Sequence, residues 1–583
     1  MTAREGRVIR VAGALVEAAP LPGAGLFEIV RVGPQGLLGE IIRIDRDVAT
    51  IQVFEDTGRL ALEDQVSATG APLLAELGPG LLGAVLDGTG RPLAQLAAAG
   101  GAFIGAGLIA PTLDRAQRWP FVASARVGQA VEPGDVLGTV AERPRFTHFI
   151  MVPPDCRGEI EWIESGDRTV LDIVCRLRGG RELTLMQRWP ARIPRPISEW
   201  RAADRPFVTG QRVFDLLFPV AEGGAVAVPG GFGTGKTVIE QSLARFADTD
   251  LVVYVGCGER GNEMAEVLEE FPALTDPATG GSLMDRTVLV VNTSNMPVAA
   301  REASVYLGLT IAEYFRDMGY RVALMADSLS RWAEALREIG SLLREMPGEE
   351  GYPTSLSNRL GKLCERAGRV RALGRPDRTG AVTFISAISP PGGDFSEPVT
   401  QAALRAVGGL WALDAGLAHQ RQFPAVDWDT SYSLQLDEVI PWFEREGGPG
   451  WGALRRDTLE LLQRDRELRE VAGLVGPDAL EDPDRLTLET ARLVRELLIG
   501  QSAYDPNDAR SPIGKTHAIA ELILRFHRRG AEQLAAGGSM GAIDVARARR
   551  VITAIRDLPD GGDATGRARA ADEVTRAAGA RPA

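Results

Sequence analysis

The sequence predicts a protein of several domains: two β-rich regions, then an α/β domain built on a parallel sheet, and then a helical region. The chain has 583 residues, enough for roughly three or four domains with separate cores. Short alternating apolar runs fill its first part, and uninterrupted Val, Ala, Leu and Ile runs alternate with helical patterns in its middle. A helical period of about 3.6 residues dominates its last part.

Composition and charge narrow the class of function. The net charge of −13 opposes sequence-independent binding of nucleic acid, which requires a basic face. The sequence contains no run of about 18 apolar residues and opens without an apolar core, so we expect neither a membrane span nor a signal peptide. The four cysteines and four histidines are scattered. They predict neither a disulfide framework nor a zinc site, and they favour a reducing compartment.

The two β-rich regions are predicted from strand and turn patterns. Residues 1–70 contain runs such as "GRVIRVAGALVEA" and "LLGEIIRI" between glycine and acidic turns, which is typical of a small β-barrel. We assign residues 71–111 to the beginning of the α/β domain. Residues 112–188 form the second β-rich region, with units such as "RVGQAVEPGDVLGTV" and "RTVLDIVCRLRGG".

The α/β domain is predicted over residues 189–440 and the helical domain over residues 441–583. Buried runs such as "DLVVYVGCGE", "RVALMADS" and "AVTFISAIS" alternate with helical connectors, which indicates a parallel sheet covered on both faces. The segment "WGALRRDTLELLQRDRELREVAGLV" has helical periodicity. The final stretch "DGGDATGRARAADEVTRAAGARPA" is rich in alanine, glycine and charge, and we expect it to fray.

A glycine-rich turn between a buried strand and a helix predicts a phosphate-binding loop. The segment "AVAVPGGFGTGKTVIE" contains Gly-x-x-x-x-Gly-Lys-Thr, and its lysine is one of only three in a chain with 65 basic residues. Glycines let backbone N–H groups approach phosphate oxygens, and the helix N-terminus favours anions. Lys236 would place a compact ammonium on the β- and γ-phosphates, and Thr237 would offer its hydroxyl to Mg²⁺. The residues predicted to bind ATP or ADP here are Gly230, Gly231, Phe232, Gly233, Thr234, Gly235, Lys236 and Thr237.

Two acidic residues stand where buried strands end. Glu259 follows "DLVVYVGCG", at the carboxyl edge where open α/β sheets bind ligands, so it is placed to polarise a water for attack on the γ-phosphate. On spacing alone, solvated loop acids at Glu259 and Glu263 are an equally good interpretation. Asp327 ends "RVALMAD", in the form of a Walker B aspartate that holds Mg²⁺ directly or through water. An aspartate that caps the next helix is the alternative.

These motifs resemble those of one family, the catalytic A (alpha) subunits of V-type rotary ATPases. The resemblance runs from "GRVIRVAGALV" to about residue 530 and is carried by "FVTGQRVFDLLFPVAEGG", "PGGFGTGKT", "VGCGERGNEMAEVL", "MADSLSRWAEALREI" and "SPPGGDFSEPVT". It implies a RecA-like P-loop nucleotide-binding domain and identifies residues 112–188 as an insertion that forms a bulge outside a ring. The F-type β subunits, export ATPases and Rho helicase share the loop and sheet but lack an insertion of this size.

The resemblance also implies a role for particular residues. Lys236 and Thr237 would bind phosphate and Mg²⁺, and Asp327 would be the Walker B acid. Glu259 would activate water, and Arg260 would contact the γ-phosphate or its network.

Two aromatic residues match the adenine pocket of the family. They are Phe423 of "RQFPAVDW" and Tyr504 of "QSAYDPND", and an aromatic face stacks on a base. Ordinary core aromatics are the alternative. The sequence departs from the family at Thr234, where cysteine is usual, and at Tyr504, where phenylalanine is common.

The function implied by the resemblance is synthesis or hydrolysis of ATP in a rotary machine. The chain would alternate with B subunits in an A₃B₃ ring, and each B subunit would supply an arginine finger. Central and peripheral stalk subunits would connect the ring to a membrane rotor for H⁺ or Na⁺, and the chain would be cytoplasmic, peripheral to the membrane and free of nucleic acid. The alternatives are an F-type, export-type or Rho-like P-loop translocase and a non-catalytic nucleotide-binding ring component. The direction of the reaction and the ion stay open.

Overall fold

The N-terminal region is a closed β-barrel, as predicted. The computed structural model describes residues 4–101, 105–277, 279–476, 480–559 and 564–579. The barrel strands among them are β1 (Arg4–Ala12), β2 (Leu15–Ala19), β3 (Glu28–Val32), β4 (Leu37–Asp45), β5 (Val48–Val53) and β6 (Gln65–Pro72). They pair in the order β1-β2-β5-β4-β3-β6, and β6 returns to β1. Alternate side chains such as Val8, Val30, Ile41 and Ile51 fill the interior, which explains the alternating pattern of the sequence.

The second β-rich region consists of two small antiparallel sheets. From residue 74 to residue 190 the elements are β7 (Leu74–Leu77), β8 (Val85–Asp87), α1 (Leu93–Gly100), β9 (Trp119–Ala123), β10 (Ala130–Val131), β11 (Val136–Arg143), β12 (Phe146–Met151), β13 (Gly158–Ile163), β14 (Gly166–Arg168), β15 (Ile173–Leu177), β16 (Glu182–Thr184) and β17 (Gln187–Pro190). One sheet has the order β10-β13-β15-β16 and the other β12-β11-β9-β14. The prediction that this region is β-rich is therefore confirmed. Strand β17, at its end, pairs antiparallel with β7.

The α/β part of the chain alternates strands and helices, as predicted. Its elements are β18 (Glu199–Trp200), α2 (Arg212–Leu217), β19 (Ala225–Pro229), α3 (Lys236–Phe246), β20 (Leu251–Glu259), α4 (Gly261–Ala273), β21 (Thr287–Thr293), α5 (Val298–Asp317), β22 (Arg321–Asp327), α6 (Leu329–Leu342), α7 (Leu356–Cys364), β23 (Gly368–Arg371), β24 (Thr379–Ile388), α8 (Pro398–Leu404), β25 (Gly409–Leu410), α9 (Ala415–His419) and β26 (Tyr432–Ser433).

The last part of the chain is helical, including part of the stretch that we expected to fray. Its helices are α10 (Leu436–Glu446), α11 (Trp451–Val475), α12 (Asp482–Leu493), α13 (Ile513–Ala535), α14 (Val545–Arg556) and α15 (Ala564–Ala577), and a π-helical turn, Val494–Ile499, follows α12. The stretch includes α15, in which Val574 and Ala577 are buried, and the expected fraying stays a prediction. Residues 560–563 and 580–583 of that stretch lie outside the described residues.

The chain divides into two compact units. The first consists of Met1–Ala202, Thr249–Ser389 and Phe395–Ala406, and the second of Ala203–Asp248, Pro390–Asp394 and Val407–Ala583. Residues of the predicted domain at 189–440 are thus found in both units, and the predicted domain boundaries stay a prediction.

The first unit has a parallel sheet of the order β24-β22-β20-β21-β8, and α5 packs on β20, β21, β22 and β24. The insertion is anchored to α5 by a buried polar chain. The ring of His148 has Nδ1 2.7 Å from Glu142 Oε2 and Nε2 2.8 Å from the Tyr314 hydroxyl. Burial of all three groups with partners makes this a rigid joint.

The second unit contains the shorter sheet segment and the C-terminal helices. Strand β25 is parallel to β19 and antiparallel to β26. Among the described residues of the whole chain, every helix is too short or too polar to cross a bilayer.

Candidate functional site

The phosphate loop belongs to the second unit, where it joins the fully buried β19 to α3. Gly233 and Gly235 have φ of 78° and 87°, a left-handed conformation that glycine adopts without strain. A Cβ on Gly230 would lie 2.6 Å from Thr234 Oγ1, so this position also requires glycine. The Thr234 hydroxyl is buried and donates to the Gly231 carbonyl at 2.8 Å. Threonine in place of the usual cysteine therefore braces the loop from inside.

Lys236 begins α3 and folds back over the loop. Its Nζ donates to the Gly230 carbonyl at 2.6 Å, and the helix has no side-chain cap at its N-terminus. The first N–H groups of α3 and the ammonium are therefore the donors that an anion meets at this loop. Lys515 uses its ammonium similarly, donating to the carbonyls of Asn507 and Leu558 at 2.5 and 2.8 Å. The compact lysine ammonium, with three N–H donors, suits positions 236 and 515 better than the planar guanidinium of an arginine does.

The aromatic residues predicted for the adenine pocket are exposed. Phe423 is 46% exposed, Tyr504 is 90% exposed, and Phe232 in the loop itself is 82% exposed. This excludes the alternative that Phe423 and Tyr504 are core residues. A Cβ on Gly235 would lie 3.7 Å from two ring atoms of Phe423, so this ring stands against the phosphate loop. Their role in binding a base stays a prediction.

The two strand-end acids belong to the first unit. Glu259 ends β20 and Asp327 ends β22, and these strands are parallel neighbours with Gly256 opposite Asp327. Asp327 is 5% exposed and accepts a hydrogen bond of 3.2 Å from the Tyr254 hydroxyl. The helix that follows is capped at Ser328, not at Asp327, and without a side-chain hydrogen bond. The N-cap residue of α6 is therefore Ser328 and not Asp327, and the Walker B role of Asp327 stays a prediction.

The surroundings of Glu259 raise the pKa of its carboxyl group toward neutrality. Burial raises its pKa to about 8, with further contributions from the Asp327 charge and a hydrogen bond to Glu263, against a lowering contribution from Ser328. A solvated loop acid has no such shift. Carboxyl groups with a pKa moved toward neutrality by burial and a second carboxylate are typical of general acids and bases.

Three arginines lie near the end of β20, and sequence reasoning singled out only Arg260. Arg260 precedes α4, and its guanidinium lies 3.8 Å from the Glu263 carboxylate. Gly258 has φ of 74°, and a Cβ there would lie 2.8 Å from both Arg301 and Arg331. Arg331 is in the first turn of α6, four residues after Asp327. The segment "MADSLSRW" contains Arg331 close to Asp327, so the sequence offered this arginine as a candidate. Only the pairing of β20 with β22 places Arg331 beside the turn that precedes Glu259.

The donor set of the described residues does not form a complete metal site by itself. Among them, no group of three or more histidine, cysteine or acidic side chains lies close enough to hold a metal ion. Mg²⁺ in phosphate-transfer sites uses one or two carboxylates or hydroxyls, waters and the phosphates of the substrate. Thr237 offers a hydroxyl and Asp327 a carboxylate, which are oxygen donors of the kind that Mg²⁺ accepts, and the described residues offer no donor set of the kind that a structural zinc requires.

The raised pKa of Glu259 predicts a pH-dependent stability in the nucleotide- and metal-free protein. Because the folded pKa of about 8 exceeds the ordinary 4.5, this group's contribution to stability is fully present below about pH 4.5 and is lost as the pH rises through about 8. The variant Glu259→Gln escapes that loss. Its unfolding free energy relative to the parent should increase by at least about 1 kcal/mol between about pH 5 and about pH 9. The melting temperatures of both proteins across this range measure it.

The control is Glu266→Gln, at an exposed position of α4. It should keep a constant difference in melting temperature from the parent. A constant difference for Glu259→Gln as well would show that the Glu259 carboxyl is ordinary.

Family models match four consecutive parts of the chain. The beta-barrel domain of the ATP synthase alpha/beta family matches residues 8–70, and the barrel-sandwich domain of ATP synthase alpha/beta subunits matches residues 110–192. The nucleotide-binding domain of the ATP synthase alpha/beta family matches residues 210–433. The C-terminal domain of V and A type ATP synthases matches residues 440–541.

Curated proteins of two related kinds match nearly the whole chain. The V-type ATP synthase alpha chain of Anaeromyxobacter dehalogenans (strain 2CP-C) is 57% identical over 538 residues, which cover 92% of this chain and 93% of that protein. The corresponding A-type ATP synthase chain of Methanopyrus kandleri is 52% identical, with 91% of each chain covered. The V-type ATP synthase alpha chain of Clostridium perfringens (strain SM101) is also 52% identical, with 92% and 91% covered.

A solved structure of the assembled ATPase EscN, from the type III secretion system of enteropathogenic E. coli, has a similar fold. Its TM-score is 0.63 at 24% identity, and the match covers 89% of this chain and 99% of that one. At this identity the likeness supports the fold alone.

Proposed function

This chain belongs to the family of V-type and A-type ATP synthase alpha chains, and from that premise we propose how its residues act on ATP. The resemblance found in the motifs is confirmed at 57% identity over 92% of the chain. The chain is an ATP hydrolase or synthase component coupled to ion transport, and it assembles with the other subunits of that machine. A translocase and a non-catalytic ring component are the weaker alternatives, because relatives that carry the ATP synthase name match almost end to end.

The phosphate loop binds the triphosphate of ATP in this proposal. Main-chain N–H groups of residues 230–237 and the Lys236 ammonium neutralise the β- and γ-phosphates, and Phe423 and Tyr504 stack on the adenine. Mg²⁺, when bound, supplies charge neutralisation on the phosphate oxygens, with the Thr237 hydroxyl and the Asp327 carboxylate as its protein ligands.

Glu259 acts as the residue that orients water. Its carboxyl group has a pKa near 8 before substrate binds, so it is set to exchange a proton near neutral pH. Arg260, exposed beside it, contacts the γ-phosphate or its network. The single observation that supports this assignment best is the burial of Glu259 next to Asp327 at adjoining strand ends.

The partners in the proposal follow the family. B subunits alternate with this chain in an A₃B₃ ring and supply an arginine finger to each nucleotide site. Central and peripheral stalk subunits connect the ring to a membrane rotor that carries H⁺ or Na⁺, with the ring peripheral to the membrane on the cytoplasmic side.

Exchange of the loop lysine tests the proposed phosphate contact. Lys236→Arg should weaken binding of MgATP to the purified chain by about tenfold or more, because the broad guanidinium cannot take the place of an ammonium that also donates to the Gly230 carbonyl. Isothermal titration calorimetry measures the affinity. The matched control is Lys362→Arg, on α7, which should bind like the parent. Equal affinity of all three proteins would remove Lys236 from the phosphate site.

A further inference from the structure

One arginine of the second unit is completely buried and makes contacts with a distant segment. Arg212, in the first turn of α2, is 0% exposed. Its Nε donates to the Leu498 carbonyl at 3.0 Å, and its two terminal nitrogens donate to the Gly500 carbonyl and to Asp508 Oδ1, each at 2.6 Å. Its backbone N–H donates to Gln501 Oε1 at 2.8 Å. The fork of a guanidinium matches this divergent set of acceptors, and an ammonium does not.

Residues of the turn before α2 make further hydrogen bonds to the segment that Arg212 contacts. The Gln211 side chain donates to the Ala509 carbonyl at 3.1 Å, and the Gly210 carbonyl accepts from the Gln501 side chain at 2.9 Å and from the Ser511 N–H at 2.8 Å. Both ends of residues 500–509, which we call the 500–509 loop, are therefore tied to the beginning of α2.

The 500–509 loop carries the exposed Tyr504 and is stabilised by hydrogen bonds to the buried side chain of Asp508. Asp508 accepts from the Ser502 N–H at 2.8 Å with Oδ2, while its Oδ1 accepts from Arg212. One buried carboxylate thus spans the loop and pairs with the guanidinium. Tyr504 stands between these braced ends with 90% of its side chain exposed.

A further contact extends the same network to the second aromatic residue. The Gln501 N–H donates to the Phe423 carbonyl at 2.9 Å. Phe423 in turn stands against Gly235 of the phosphate loop. The main chain of both exposed aromatics is therefore fixed through Gln501 and the 500–509 loop, and Arg212 contacts both of these.

We infer that Arg212, through its ion pair with Asp508, is a positioning residue for the base of the bound nucleotide. Arg212 is buried and does not itself contact the nucleotide. It fixes the 500–509 loop, which carries Tyr504, and it contacts Gln501, whose N–H donates to the Phe423 carbonyl. Exposed aromatic side chains bind a base better when their backbone is already ordered, because less freedom is lost on binding. The inference rests on the proposed function, specifically on Phe423 and Tyr504 as the platform for adenine.

The test compares a ligand that has a base with one that lacks it. The full-length variants Asp508→Asn and Arg212→Lys are titrated with MgATP and with magnesium tripolyphosphate. Each variant should bind MgATP about tenfold or more weakly while its affinity for tripolyphosphate stays within about twofold, because base stacking is lost and the phosphate contacts are kept. In rings reconstituted with partner subunits, the KM for ATP should rise and kcat should stay near the parental value. Asp508→Asn keeps an acceptor for the Ser502 N–H, so it provides the test if Arg212→Lys does not fold.

Two further variants separate the possible failures. Arg455→Lys removes a contact with the other end of α2, where Arg455 Nε donates to the Leu217 carbonyl at 2.8 Å, and it should bind both ligands like the parent. Tyr504→Ala should weaken MgATP binding alone. Equal weakening of both ligands in Asp508→Asn, or no weakening of either, would overturn the role of the ion pair. If Tyr504→Ala binds MgATP like the parent, the proposed adenine platform itself is wrong.

Discussion

A reconstituted ring that contains the Glu259→Gln variant is expected to bind nucleotide and to lose about 10²- to 10⁴-fold in ATP turnover, the range that a positioned general base contributes. Glutamine keeps the size and one acceptor oxygen of the side chain but cannot take a proton. The carboxyl group that it replaces is the one whose pKa burial and the neighbouring Asp327 raise to about 8.

The measurement pairs turnover with binding in the same preparation. Fluorescent-nucleotide titration should give a parental affinity, and a coupled assay should give the reduced rate. The ring with Glu266→Gln, the same substitution on the exposed side of α4, should turn over at the parental rate. Parental turnover in the Glu259→Gln ring would take Glu259 out of the mechanism.

The purified chain alone is expected to bind MgATP but to hydrolyse it about 10³- to 10⁵-fold more slowly than the assembled ring, because the proposed arginine finger comes from the neighbouring B subunit. In the proposal this chain contributes the loop donors, Lys236 and the strand-end acids, so we expect binding not to depend on the partner. Addition of B subunits should restore the rate, and steady-state hydrolysis at increasing B concentration measures the restoration.

The control for this result is a B subunit whose arginines at the ring interface are replaced one at a time by alanine. One such ring should assemble, bind nucleotide and stay slow. A purified chain as fast as the complete ring would show that every group needed for turnover lies within this chain.

The strand, glycine turn and helix around residues 230–237 could be predicted from the sequence because their determinants are local. A buried strand, four glycines and a lysine–threonine pair occupy adjacent positions, and the positive φ values of Gly233 and Gly235 follow from that arrangement. The β-barrel and the insertion were also predictable, since alternating apolar residues with turn signals indicate short antiparallel strands. The burial of Val574 and Ala577 in α15 could not be predicted, because it depends on contacts with α13 and α14 that no local pattern indicates.

The sequence by itself determined which residue types are available for phosphate, metal and water, since these lie in short motifs whose spacing suits their chemistry. Only the tertiary structure decided the pKa, the pairing and the exposure of individual side chains. The carboxyl group of Glu259 became different from that of a surface glutamate when folding partly buried it and β22 brought Asp327 alongside. The Arg212–Asp508 pair joins residues 296 positions apart, and the exposure of Tyr504 and Phe423 is a property of the folded surface. Burial and long-range pairing arise from packing, so a one-dimensional pattern does not contain them.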